Sequence, residues 1–131
     1  MKLEKLFSVK DKTVLITGGS RGIGEMIAEG FIANGSKVYI TSRKGSDVRE
    51  TAERLRERYG GFCKAFSSDI SNVNGIEGLY AEFNKNEDHL DVLINNAGAV
   101  WGEPLESFSE VGWDKVMDLN VKTIFFMIQK F

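Results

Sequence analysis

The chain has 131 residues, 27% of them charged, and a net charge of -2 at pH 7. It therefore carries no basic footprint for nucleic acid, and it is long enough for one domain with a real core. Its single cysteine, Cys63, cannot form an internal disulfide, which suits a reducing compartment, and it reads as a small apolar strand residue rather than a nucleophile. No apolar run approaches the roughly 18 residues of a membrane span. Met1 to Lys10 lacks the long hydrophobic region of a signal peptide. A cytoplasmic protein with no nucleic-acid or membrane partner is expected, and no metal site.

Residues 13–17, apolar and β-branched, predict a buried first strand. It runs into the turn Thr17-Gly18-Gly19-Ser20-Arg21-Gly22-Ile23-Gly24. A helix is predicted from about Gly22 to Asn34, with Ile23, Ile27, Ala28, Phe31 and Ile32 on one face and Gly35 as C-cap. Lys37 to Thr41 predicts strand two. Ser46 or Asp47 can cap a second helix to about Tyr59, which Gly60-Gly61 ends. Strand three is expected near Phe62 to Phe66, and the polar segment Ser67 to Asn74 leads into a third helix ending near Asn86. Leu90 to Ile94 predicts strand four, broken by Asn95-Asn96-Ala97-Gly98. Ser109 can cap a last helix carrying Trp113, Val116, Met117, Val121, Ile124, Phe125 and Ile128. Strands alternating with helices predict an α/β, Rossmann-type doubly wound parallel sheet of about four strands, in the order 3-2-1-4 that right-handed crossovers impose. The last helix reaches Phe131 without a cap, a glycine or a polar tail, so residues 1–131 are expected to be a dinucleotide-binding domain incomplete at its C-terminus.

A strand, a glycine-rich turn and a helix start make a site for a diphosphate. Free N–H groups at the first helical turn point outward and the peptide dipoles favour negative charge there. Glycine permits positive φ and removes the Cβ that would hold a phosphate away. The spacing is G-x-x-x-G-x-G, not G-x-G-x-x-G or a P-loop. Candidate cofactor contacts are Gly18, Ser20, Arg21, Gly22, Ile23 and Gly24.

After strand two, an acidic residue would accept from an adenosine 2′-hydroxyl and repel a 2′-phosphate. Here stand Ser42-Arg43-Lys44, with no carboxylate before Asp47. Arg43 offers a planar donor fork, Ser42 removes the repulsion, and Arg21 can approach from the glycine turn. NADP(H) is therefore favoured over NAD(H). Asp69 follows strand three at the carboxyl edge of the sheet, where it can accept from an adenine amino group or cap the following turn. Ala97 and Gly98 let backbone approach a ribose, while Asn95 and Asn96 can bond strand ends. Asn120 stands among apolar residues and needs a polar partner if buried. His89, the only histidine, reads as an exposed residue before a strand.

With those motifs in order, the chain resembles the first half of a short-chain dehydrogenase/reductase, in the branch containing 3-oxoacyl-acyl-carrier-protein reductases. T-G-x-x-x-G-x-G matches Thr17 to Gly24, Asp69-Ile70 matches the pair beside the adenine, and N-N-A-G matches Asn95 to Gly98. The stretch from Trp113 to Asn120-Val121 resembles the helix carrying a catalytic asparagine. The resemblance gives Asn120 that role, with a structural water near the catalytic lysine as its partner. It implies an oxidoreductase of fatty acid metabolism that passes hydride from the nicotinamide to a ketone of a small carbonyl or acyl substrate, plausibly a 3-oxoacyl thioester, in a homo-oligomeric parent. A polyol or sugar dehydrogenase of the same family, or a non-catalytic dinucleotide-binding module, are the alternatives. The family's serine and Tyr-x-x-x-Lys pair should follow Asn120, and none of Tyr39, Tyr59 or Tyr80 is followed four places on by lysine. The 131 residues alone are therefore expected to be inactive.

Overall fold

The computed structural model describes residues 2–131. Along the chain lie a single helical turn α1 (Leu3–Leu6), then β1 (Thr13–Thr17), α2 (Gly22–Ala33), β2 (Lys37–Ser42), α3 (Gly45–Tyr59), β3 (Cys63–Ser67), α4 (Val73–Asn84) and β4 (Val92–Ile94). A short 3₁₀ turn at Leu105–Ser107 precedes α5 (Glu110–Met117), a π-helical turn (Asp118–Lys122) and α6 (Thr123–Lys130). The strands form one parallel sheet in the order β3-β2-β1-β4, the order expected from the crossover rule. Its register pairs Thr17 with Thr41 and Ser42 with Ser67, which aligns the carboxyl ends of the first three strands.

Side chains alternate across the sheet and build a core on each face. Val14, Ile16, Val38 and Ile40 pack with Ala28 and Ile32 of α2 and with Val48, Ala52 and Leu55 of α3. Leu15, Tyr39 and Phe66 pack on the other face with Ile76, Leu79 and Phe83 of α4 and Met127 of α6. Cys63 is buried in the first layer, and burial, opposed by Arg56, pushes its thiol up to about 12. That is the inert strand residue its setting predicts.

Several expectations require correction. Helix α3 begins at Gly45 with Lys44 as N-cap, and neither Ser46 nor Asp47 caps it. Helix α4 ends at Asn84, and the Asn86 amide instead donates to the Glu82 carbonyl at 2.7 Å. Strand β4 starts at Val92, because Asp91 turns its carboxylate to the Thr13 N–H and to Lys12. Ile23 is 70% exposed and lies outside the buried face of α2. The last helix is interrupted by the π turn, and Trp113, Val121, Phe125 and Ile128 face solvent while Met127 enters the core. Gly60 (φ 65°) ends α3 and Ser109 caps α5, as the sequence implies.

Candidate functional site

At the carboxyl edge of the sheet, Thr17 and Asn96 join the glycine turn to the loop after β4. The Asn96 and Ala97 N–H groups both donate to Thr17 Oγ1 at 3.0 Å. The Asn96 side-chain amide donates to the carbonyls of Thr17 (3.0 Å) and Gly18 (3.3 Å). The turn thereby spends its inward carbonyls on protein and leaves the N–H end of α2 outward. Gly18 (φ 67°) passes directly under this loop, where an added Cβ would lie 3.0 Å from the Ala97 Cα. Gly24 is packed harder: a Cβ there would lie 2.2 Å from the Gly18 carbonyl oxygen. Close approach of α2 to β1 therefore requires glycine.

The N-cap of α2 is Arg21 and that of α3 is Lys44, and neither helix start receives a side-chain cap bond. Both N-cap residues line one cleft of about 300 Å³. Of the residues expected from sequence, Gly18, Ser20, Arg21, Ser42, Arg43, Asp69, Ile70, Asn96, Ala97 and Gly98 line it. Gly22, Ile23, Gly24 and Asn120 do not. Gly22 (φ 57°) shapes the turn, Gly24 lies buried beneath it, and Ile23 faces solvent. Thr41, Ser68, Ser71 and Leu119 join the lining without having been anticipated. The strand register that places Thr41 beside Thr17 is a tertiary fact with no short-range signal.

Hydroxyls hold the loop after β2 in place. Ser42 donates to the Lys44 carbonyl at 3.2 Å and Ser67 to the Arg43 carbonyl at 3.3 Å. A Cβ on Gly45 would lie 3.1 Å from the Ser67 hydroxyl, so the start of α3 presses against the end of β3. Asp47 also reaches the rim, with its carboxylate 3.9 Å from the Lys44 ammonium and accepting from Ser46 at 3.1 Å. Arg43 stays exposed. Asp69 accepts from the backbone and the hydroxyl of Ser71 through one oxygen, at 3.1 and 2.7 Å. That is the turn-capping geometry, and it leaves the carboxylate exposed on the rim. The Ile70 side chain is buried in the core, so it can meet a ligand only through its backbone.

Asn120 lies in the π turn, with its side-chain amide bonded to Ala99: Nδ2 donates to the Ala99 carbonyl at 2.9 Å and Oδ1 accepts from the Ala99 N–H at 2.8 Å. Further along the same loop, Glu103 accepts from the Ser109 N–H at 2.6 Å, which holds its carboxyl below the usual range. His89 is exposed, 3.5 Å from Asp91, and remote from the cleft. No cluster of metal-ligating side chains occurs among the described residues.

The family model for short chain dehydrogenases matches residues 12–131. The chain belongs to the short-chain dehydrogenase family. Among curated relatives, the rhamnolipids biosynthesis 3-oxoacyl-[acyl-carrier-protein] reductase of Pseudomonas aeruginosa is 44% identical over 124 residues, covering 95% of this chain and 48% of that protein. A solved Pseudomonas aeruginosa RhlG/NADP active-site complex superposes with a TM-score of 0.89 at 44% identity, covering 95% of this chain and 48% of the other. L-sorbose reductase of Gluconobacter frateurii, solved with NADPH and L-sorbose, superposes with a TM-score of 0.88 at 26% identity, covering 92% and 46%. The chain thus spans about half the length of the short-chain dehydrogenases it matches. The residues fit a dinucleotide phosphate: two uncapped helix starts, three cations and no carboxylate at Ser42 converge on one cleft.

Proposed function

We propose that residues 1–131 form the cofactor-binding half of an NADP(H)-dependent reductase acting on a ketone, with a 3-oxoacyl thioester as the substrate. The observation that carries this reading is the cleft where Arg21, Arg43 and Lys44 meet the two uncapped helix starts beside Ser42. The similarity to the Pseudomonas reductase supports the acyl substrate. The N–H groups at the start of α2 receive the diphosphate, and Arg43 and Arg21 receive the 2′-phosphate. The Asp69 carboxylate and the Ile70 backbone meet the adenine edge, and the Ala97 and Gly98 backbone meets the ribose. A bound NADPH supplies the hydride. Asn120 is a positioning residue: its two bonds to Ala99 fix the loop that carries Ala97 and Gly98. The serine and the Tyr-x-x-x-Lys pair are assigned to sequence following Phe131. A cytoplasmic homo-oligomer is proposed, supported by apolar Phe125 and Ile128 facing solvent on α6. Sugar or polyol reduction is the second reading, supported by the likeness to L-sorbose reductase.

Titration of the protein with NADP+ and NAD+ tests the cofactor, and NADPH oxidation with a 3-oxoacyl thioester or with L-sorbose tests the substrate. Ser42→Asp is expected to shift preference toward NADH by about 1–3 kcal/mol, the scale of one charge-assisted hydrogen bond gained or lost. Equal affinity of the unmodified protein for both cofactors overturns the NADP(H) assignment. A coding sequence that stops after Phe131 leaves the non-catalytic module.

A further inference from the structure

Thr51 stands two turns inside α3, 2% exposed, and its hydroxyl leaves its own helix. A helical threonine commonly bonds a carbonyl three or four residues back. Thr51 Oγ1 instead donates to the carbonyl of Ser20, 31 residues away in the glycine turn, at 2.8 Å. The same oxygen accepts from Arg54 Nη2 at 3.3 Å, and that guanidinium also bonds Glu25, in the first turn of α2, at 2.5 Å. Helix α3 is thus clasped to the turn from which α2 springs. The clasp joins the two elements that bring cations to the lining of the cleft: Arg21 next to Ser20, and Arg43 and Lys44 at the start of α3.

We propose that Thr51 is a positioning residue for selection between phosphorylated and unphosphorylated dinucleotides, because it sets the gap between Arg21 and the Arg43–Lys44 pair. The inference rests on the NADP(H) reading above. A phosphate held from two sides needs both sides fixed to within a few tenths of an ångström, since charge-assisted hydrogen bonds weaken steeply with length and angle. The other flank of the turn is held independently by Thr17 and Asn96, which tie down Gly18. Loss of the Thr51 hydroxyl therefore loosens the Ser20–Arg21 side, which keeps only the Arg54–Glu25 bond of the clasp, while the anchoring of Gly18 persists. The penalty falls on the 2′-phosphate more than on the diphosphate.

The test is the ratio of NADP+ to NAD+ affinity, read by calorimetric titration of the protein as expressed from its gene, with thermal unfolding alongside. Thr51→Val keeps the volume and removes the hydroxyl. It is expected to weaken NADP+ about tenfold, the loss of one good hydrogen bond, and NAD+ less than about twofold. A residue that served stability alone would lower the melting temperature and leave the ratio unchanged, and that result overturns the proposal. Should Thr51→Val fail to fold, Thr51→Ser and Thr51→Ala replace it. Both lack the methyl and they differ in the hydroxyl, so the serine variant keeps the parental ratio and the alanine variant loses it. Equal ratios in that pair likewise overturn the proposal. An unmodified protein that binds neither dinucleotide refutes the NADP(H) reading itself, whereas parental NADP+ binding with an unchanged ratio in Thr51→Val refutes the Thr51 role alone.

Discussion

The two ends of the sheet handle their polar groups in opposite ways. At the amino end the groups satisfy one another. Lys12 pairs with Asp91 at 2.7 Å, and Asp91 also takes the Thr13 N–H at 2.9 Å. Lys37 and the Tyr39 hydroxyl both bond Glu87. At the carboxyl end the starts of α2 and α3 lack side-chain caps, although α4 and α5 in the same chain are capped by Asn72 and Ser109. A parallel sheet with returning helices places every helix start at one end, so topology alone sets up the asymmetry. Sequence then decides which starts are capped from within and which retain bonding capacity. Substitutions at the amino end should accordingly change stability alone, while those at the carboxyl end should change ligand binding.

The largest effect is expected where the two properties cannot be separated. Gly24→Val places a side chain against the Gly18 carbonyl, where a Cβ alone would lie at 2.2 Å. Helix α2 must move off β1, at about 3 kcal/mol, the upper end for overpacking, and dinucleotide affinity should vanish with it. Chemical denaturation with a parallel cofactor titration measures both, and retained affinity would show that the turn is structural only. Glu87→Ala is expected to be smaller and one-sided. It strips the acceptor from Lys37 and Tyr39, costing about 2 kcal/mol, within the range for hydrogen bonds to charged groups. Cofactor affinity should be unchanged, because Glu87 lies outside the cleft. A weakened affinity in a folded variant would break the division between the two ends.

How much of this was legible depends on whether the signal was local. The strand–helix alternation, the Gly60 stop and the Ser109 cap each follow from a few adjacent residues, and the strand order follows from the crossover rule. The start of α3 does not: Ser46 and Asp47 are good caps by composition, but Ser42 and Ser67 fix the preceding carbonyls and draw Gly45 against β3. The π turn was equally hidden. Its apolar periodicity reads as one continuous helix, and the break is marked by long-range bonds, Asn120 to Ala99, 21 residues away, and Thr123 to the Ile70 carbonyl. The glycine turn and the Ser42–Lys44 loop were legible as a site because their chemistry is carried by contiguous residues. Ser68, Leu119 and the reach of Thr51 to Ser20 were not, since each depends on which elements the fold sets side by side.

The smallest expected effect tests the amino end by pH. Burial raises the Glu87 carboxyl, but the bonds from Lys37 and Tyr39 outweigh it and hold the group below its ordinary 4.5. A carboxylate depressed in the folded state contributes stability above its unfolded pKa and loses it as pH falls through the folded value. Tyr39 is raised above its ordinary 10.0, by burial first and then by Glu87, so its share is lost only on the alkaline side. Glu87→Gln keeps an acceptor for both donors and removes the charge. Its deficit against the unmodified protein should be about 1 kcal/mol from pH 6 to 8, the difference between a charged and a neutral acceptor. Below about pH 4.5 that deficit should shrink as the native carboxylate takes up its proton. Asp91 is also depressed, by Lys12 and then by the Thr13 N–H, but it is common to both proteins and cancels in the difference. Urea unfolding at pH 7 and pH 3.5 gives the comparison. A gap that stays constant between the two would mean that Glu87 holds the amino end through hydrogen-bond geometry alone, without its charge.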